Sequence, residues 1–208
     1  MAATFRLRLP LLIVILAAMT GVQPIRARAA QDRPVINPTA ATIADFHRRV
    51  DEYMQLQMML AGQLPKLPKD ATPQQIDQNQ RALGMLIAMA RANAKPGDLF
   101  TPDMQRLVHR QFAAIFQGQQ GQQLRRYIHD EPHPVTPDIN KRYPDVIPVS
   151  TMPLRVLAQL PKLPEELEYR FVASHLVLMD VHAHLILDYV LNAIPEASPA
   201  KPPKTEQP

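Results

Sequence analysis

The residues best suited to chemistry gather near the C-terminus. His182 and His184 stand two apart, so on an extended strand both point to one face, joined there by Asp188, while His175 opens the neighbouring apolar run. Imidazoles and a carboxylate in that arrangement are donors for zinc, copper or nickel. The same residues have a second reading. The chain must reverse within Asp180-Val181-His182-Ala183-His184, which holds no glycine. A type I turn ending in a left-handed residue is expected there, with His184 as the turn former and His182 as its solvated apex.

Other chemistries find less. His129-Asp130-Glu131-Pro132-His133 lacks the His-Glu-x-x-His order, and its proline bars the helical i, i+4 spacing that order needs. His47 and His109 lie among charged residues on helical patterns and are expected to be exposed. Ser150, Ser174 and Ser198 are the only serines, and none sits in a Gly-x-Ser-x-Gly elbow. Six scattered glycines form no phosphate loop. The chain has no cysteine, which excludes disulfides, thiolate metal sites, a Cys nucleophile and a lipid-modified Cys. With 5% aromatic residues and no Trp, a sugar-stacking cleft is disfavoured, although paired carboxylates leave a small hydrolase as a third reading. No catalytic residue and no cofactor is predicted.

The elements that must position these residues are mostly helical. Ile43, Phe46, Val50, Tyr53, Leu60 and Leu64 recur at helical steps, starting from Asn37-Pro38 or Thr42 and stopped by Gly62 and Pro65. This stripe covers barely three heptads, so it pairs either inside the monomer or with a second chain. Thr72-Pro73-Gln74-Gln75 reads as an N-cap, a proline at the first helical position and a capping box, ahead of a buried stripe of Ile76, Leu83, Leu86, Ile87 and Ala90. Thr101-Pro102-Asp103 begins a third helix that buries Met104, Leu107, Val108, Phe112, Ile115 and Phe116. Residues 117–123, rich in Gln and Gly, are expected to form a turn before a helical piece at 124–129.

Six prolines between 132 and 153 forbid a long helix, so this stretch is expected to wrap across the helices, with Tyr143, Val146, Ile147 and Val149 as apolar anchors. A short helix at 154–160 follows. Then the period changes to two. Tyr169 and Phe171 alternate with Glu168, Arg170 and Val172, and Leu185, Leu187 and Tyr189 with Ile186, Asp188 and Val190, which predicts a three-stranded antiparallel meander.

The two ends are read differently. Arg6 and Arg8, the apolar span 9–22 and the small-x-small triplet Ala27-Arg28-Ala29 read as a secretory signal cleaved after Ala29. That span is short of the ~20 residues a membrane crossing needs. Residues 195–208 are proline-rich and almost without apolar side chains, as in a disordered tail. The whole chain carries a formal charge of +4, yet the proposed signal holds four arginines and no acid, so 19 basic and 19 acidic side chains remain beyond it. A neutral body gives no footing for nucleic acid.

Several strings carry a resemblance. Arg49-Val50-Asp51-Glu52-Tyr53, Gly97-Asp98-Leu99-Phe100-Thr101-Pro102, and Leu163-Pro164-Glu165-Glu166-Leu167-Glu168-Tyr169-Arg170-Phe171-Val172 running on to His175-Leu176-Val177-Leu178-Met179-Asp180 resemble a family of small, uncharacterised, exported bacterial proteins. The likeness spans most of residues 40–194, and the family carries no assigned activity, cofactor or catalytic residue. Its members often have Gly where this chain has Ala173 and Asn where it has His184. More loosely, the closing meander is similar to the C-terminal hairpin of small periplasmic proteins linked to nickel and cobalt homeostasis, without their turn glycines.

The sequence therefore predicts an α+β protein, with a signal at 1–29, a disordered lead at 30–38, one domain at 39–194 and a tail at 195–208. Its expected place is the periplasm or the exterior. Its expected role is non-enzymatic, binding another envelope protein or serving as a structural accessory. The alternative is a metal-binding protein using His175, His182, His184 and Asp188.

Overall fold

The structure, a computed structural model, describes residues 37–129, 136–143 and 152–196. The proposed signal with Ala27 and Ala29, the residues 197–208 of the tail, the cluster at 130–133 and the anchors Val146, Ile147 and Val149 lie outside the described residues.

Helices α1 (Pro38–Ala61), α2 (Pro73–Ala90), α3 (Pro102–Ile115), α4 (Gly118–His129) and the single turn α5 (Leu154–Leu157) precede a meander of β1 (Leu167–Val172), β2 (His175–Asp180) and β3 (Leu185–Val190). This is an α+β layout with the sheet at the C-terminal end. Three helices start alike, with proline at N1, where its missing N–H costs nothing. Asn37 accepts from the Thr39 N–H, Thr101 from Met104, and Thr72 forms a complete capping box with Gln75. Among the described residues, no helix is long and apolar enough to cross a membrane.

The expected α3 stripe is buried throughout. The α1 stripe is also used inside the chain, where Phe46, Val50, Tyr53 and Leu60 enter the main core. On α2 the stripe is narrower than its pattern: Leu83 and Ile87 are buried, but Ile76 is 41% exposed and Ala90 is exposed, because they flank the part of the helix that meets the core. The Gln-Gly tract is not a loop. Only Gln117-Gly118 turns, and Gly118 already begins α4. Gly121 explains the choice of residue, since a Cβ there would lie 2.2 Å from the Phe116 carbonyl carbon. Glycine lets α4 cross the end of α3 at backbone distance.

The sheet has the order β1-β2-β3, all antiparallel. Leu167, Tyr169 and Phe171 of β1, with Leu176 and Leu178 of β2, face the helices. Phe46 stacks on Phe100, Phe100 on Tyr169, and Phe112 meets Phe171, so an aromatic row joins helices to sheet. The second face carries a smaller cluster of Tyr143, Val172, Val177, Met179 and Ile186. Residues 140–143 run along the outer edge of β3: Asn140 N–H donates to the Ile186 carbonyl, Ile186 N–H to Lys141, and Tyr143 N–H to His184.

The alternation expected in β3 is interrupted. Leu178 pairs with Asp188 but Met179 pairs with Ile186, so β3 carries one extra residue, Leu187. This bulge resets the pleat. Leu185 faces the helices, Ile186 faces away, and both Leu187 and Asp188 are fully buried.

The β1–β2 connection is the two-residue turn Ala173-Ser174, with Ala173 at φ 51°. That region favours glycine and costs an L-residue about 1–2 kcal/mol. Ala173→Gly is therefore expected to raise stability by about 0.5–1 kcal/mol after glycine's greater chain entropy is counted. Urea unfolding checks this; a loss of stability would show that the turn is unstrained.

Candidate functional site

The structure places the four metal-ligand candidates apart. His175 opens β2, while His182 and His184 lie beyond its end, roughly 17 Å along the strand at the ordinary rise per residue. Neither histidine of the pair is on a strand. Both sit in the turn 181–184, with His184 at φ 53° and stacked on the Tyr143 ring, and His182 exposed. The turn reading of Asp180–His184 describes the geometry; the expectation that His182 and His184 share a strand face does not. Among the described residues, no group of three or more His, Asp or Glu side chains is placed to hold a metal ion.

His175 has a local role. Its Nδ1 accepts the Asn192 N–H at 2.9 Å, and partial burial holds the imidazole below its ordinary range. The folded chain thus favours neutral His175. The associated stability is complete above pH 6.5 and is lost as the pH falls below that value, where the unfolded chain takes up a proton first. Melting curves between pH 5 and 7.5 are expected to show this slope, and His175→Gln to flatten it; an unchanged slope in the variant would assign the effect elsewhere.

Asp188 is used by the fold. Its Oδ1 accepts the N–H groups of Gly97 and Tyr189 at 3.0 and 2.8 Å, and its Oδ2 those of Leu99 and Phe100 at 2.8 and 2.7 Å. The donors are aimed by the turn Lys95-Pro96-Gly97-Asp98, closed by the Asp98 N–H on the Lys95 carbonyl, with Gly97 at φ 95°. Proline then glycine is the pairing a type II turn requires. Burial pushes the Asp188 carboxyl above its ordinary range, against the downward pull of those four N–H donors.

A second buried acid lies on the same sheet face. The Tyr53 hydroxyl donates to Asp180 Oδ2 at 2.5 Å, and Asp180 Oδ1 accepts the Ala183 N–H at 2.7 Å, which fixes the turn. Burial, reinforced by the Asp180 charge, drives the Tyr53 phenol well above its ordinary value, so it remains a donor. Arg91, at the end of α2, completes the junction. Its guanidinium carbon stands 5.4 Å from the Tyr53 ring centre, and its Nη2 donates to the carbonyl of the bulged Leu187 at 3.0 Å. Asn140 returns a bond to the Arg91 carbonyl at 2.7 Å.

The histidines read as exposed divide. His109 is exposed, whereas His47 is half-buried, with its Nε2 enclosed and without a hydrogen-bond partner. Ser174 is a turn residue whose hydroxyl bonds the Asn192 side chain at 3.2 Å.

One accessible feature among the described residues is largely apolar. A groove of about 670 Å³ runs between α5 and β1, lined by Met152, Leu154, Leu157, Leu160 and Leu163 on one side and by the Leu167–Arg170 stretch of β1 on the other. Leu154 is 82% exposed and Leu157 43%. The sequence reading missed this groove, because the edge of a strand and the face of a one-turn helix are joined only by folding. No protein-family model, curated protein or solved structure matches the chain.

Proposed function

We infer that this is an exported, non-enzymatic protein that works by contact, as a binding or structural accessory of the cell envelope. The N-terminal Arg6/Arg8, apolar span and Ala27-Arg28-Ala29 pattern supports export, as does the resemblance to small exported proteins. The observation that carries the contact role is the α5–β1 groove. Its lining is mostly apolar, with five leucines beside the charged Lys162, Glu165, Glu168 and Arg170, and Leu154 stands 82% exposed, the kind of surface that a partner covers. The buried acids point the same way, since the oxygens of Asp180 and Asp188 are already engaged by Tyr53 and backbone N–H groups.

Two measurements test the reading. N-terminal sequencing of protein recovered from cell fractions is expected to find the chain beginning near Ala30 and outside the cytosol. A photo-crosslinker at Leu157 is expected to capture an envelope partner in cells, and Leu154→Asp to abolish that capture with the melting temperature unchanged. Full-length chain in the cytosol, or crosslinks indifferent to Leu154, would overturn it.

A further inference from the structure

We propose that the partner of this groove is a second copy of the chain, added to the sheet through the outer edge of β1. The proposal rests on the contact role assigned to the groove and names its occupant.

The two sheet edges are not alike. Residues 140–143 occupy the β3 edge, whereas among the described residues nothing pairs with the outer edge of β1. Val181 N–H donates to the Glu166 carbonyl, which sets the phase of the β1–β2 ladder. By alternation, residues 168, 170 and 172 direct their backbone groups to β2, and residues 167, 169 and 171 direct theirs outward. Leu167 N–H is used locally, by the Pro164 carbonyl. The N–H and C=O groups of Tyr169 and Phe171, with the Leu167 C=O, therefore point outward as a strand template, and Leu167 and Tyr169 also line the groove. The β1 sequence carries no Pro and no bulge to block pairing, and its two charges, Glu168 and Arg170, are of opposite sign.

The sequence of β1 also complements itself. Glu168 and Arg170 stand on the same sheet face, two residues apart, and Arg170 holds Glu168 through Nε and Nη2 at 2.7 and 2.6 Å. Two β1 strands placed antiparallel about Tyr169 set each Glu168 directly across from the other copy's Arg170. On such non-hydrogen-bonded pairs the side chains are closest, and opposite charges attract. Tyr169 pairs with itself, and Phe171 N–H meets the Leu167 carbonyl of the other copy, for about four interstrand bonds by this pattern. A shift by one residue in the pairing would lose the charge match and set the outward backbone groups of one copy opposite residues whose own groups are turned to β2. Leu154 and Leu157 stand along the groove as its apolar wall.

Sedimentation velocity on the purified protein at tens of micromolar is expected to show a dimer. Glu168→Arg sets arginine opposite arginine and is expected to weaken self-association at least about tenfold, and the exchange Glu168→Arg with Arg170→Glu to restore it. Amide exchange by NMR supplies a readout specific to this edge. Tyr169 and Phe171 N–H groups are expected to be protected in the dimer and to exchange rapidly on dilution to monomer, so the test survives if Glu168→Arg does not fold. A monomeric wild type, or a dimer whose Tyr169 and Phe171 amides exchange freely, would overturn the proposal. So would a monomer in which they stay protected, because its own chain then covers the edge. A monomer whose Leu157 crosslink still depends on Leu154 removes the dimer and leaves the contact role standing. A full-length dimer found in the cytosol removes the export reading and leaves the dimer standing.

Discussion

Asp188→Asn is expected to destabilise the protein by about 3–5 kcal/mol, lowering its melting temperature by roughly 10 °C. The carboxylate is fully buried and each oxygen receives two backbone N–H groups. An amide keeps one acceptor oxygen. In either orientation its NH₂ faces two N–H donors, leaving Gly97 and Tyr189, or Leu99 and Phe100, without a partner. Each orphaned donor costs about 1–3 kcal/mol, which outweighs the relief of removing a buried charge. The wild-type carboxyl also has a signature with pH. Because burial raises its pKa in the fold, the folded chain holds its proton longer, and that share of stability is present near and below pH 3.8 and lost as the pH rises through the raised value. The variant lacks this slope. Denaturant unfolding within 0.5 kcal/mol of wild type would mean that the 97–100 loop is held by something else.

Tyr53→Phe is expected to cost about 1.5–3 kcal/mol, and more than Asp180→Asn. Phenylalanine keeps the ring beneath Arg91 and the packing with the core, so the loss isolates one hydroxyl. Without it, Asp180 Oδ2 is a buried acceptor with no donor. Asparagine at 180 is milder, because its oxygen still accepts the Ala183 N–H and its amide donates to the Tyr53 oxygen. Calorimetry on the two variants and their combination gives the coupling directly. Equal costs for the two single changes would contradict the assigned direction of the bond.

The helices were largely legible in the amino-acid order, since proline after Asn37, Thr72 and Thr101 marks three starts and the apolar stripe of α3 has one solution. The meander was legible for the same reason, as its period is set by pleat geometry. What could not be read is where distant segments meet. The β3 run of Leu, Ile, Leu and Asp fits an unbroken alternation equally well, and the N–H groups of Gly97, Leu99 and Phe100 give Asp188 a reason to turn inward across a bulge. A signal was nonetheless present: Asp180 and Asp188 are acids inside apolar strands, and such a residue must find buried donors. Ile76 and Ala90 show the opposite limit, for periodicity gives the direction of a helical face but not how far along the helix the core reaches.

The ties of Asp188 to a loop some ninety positions earlier have a consequence for the order of assembly. A chain made from its N-terminus completes every residue of α1, α2 and α3 before β3 exists, yet the N–H groups of Gly97, Leu99 and Phe100 lack their carboxylate and the aromatic row its floor until the strands arrive. Long-range closures of this kind slow folding, because the loop must be gathered before any contact repays it. The junction of helices and sheet closes only once the last-made strand is in place.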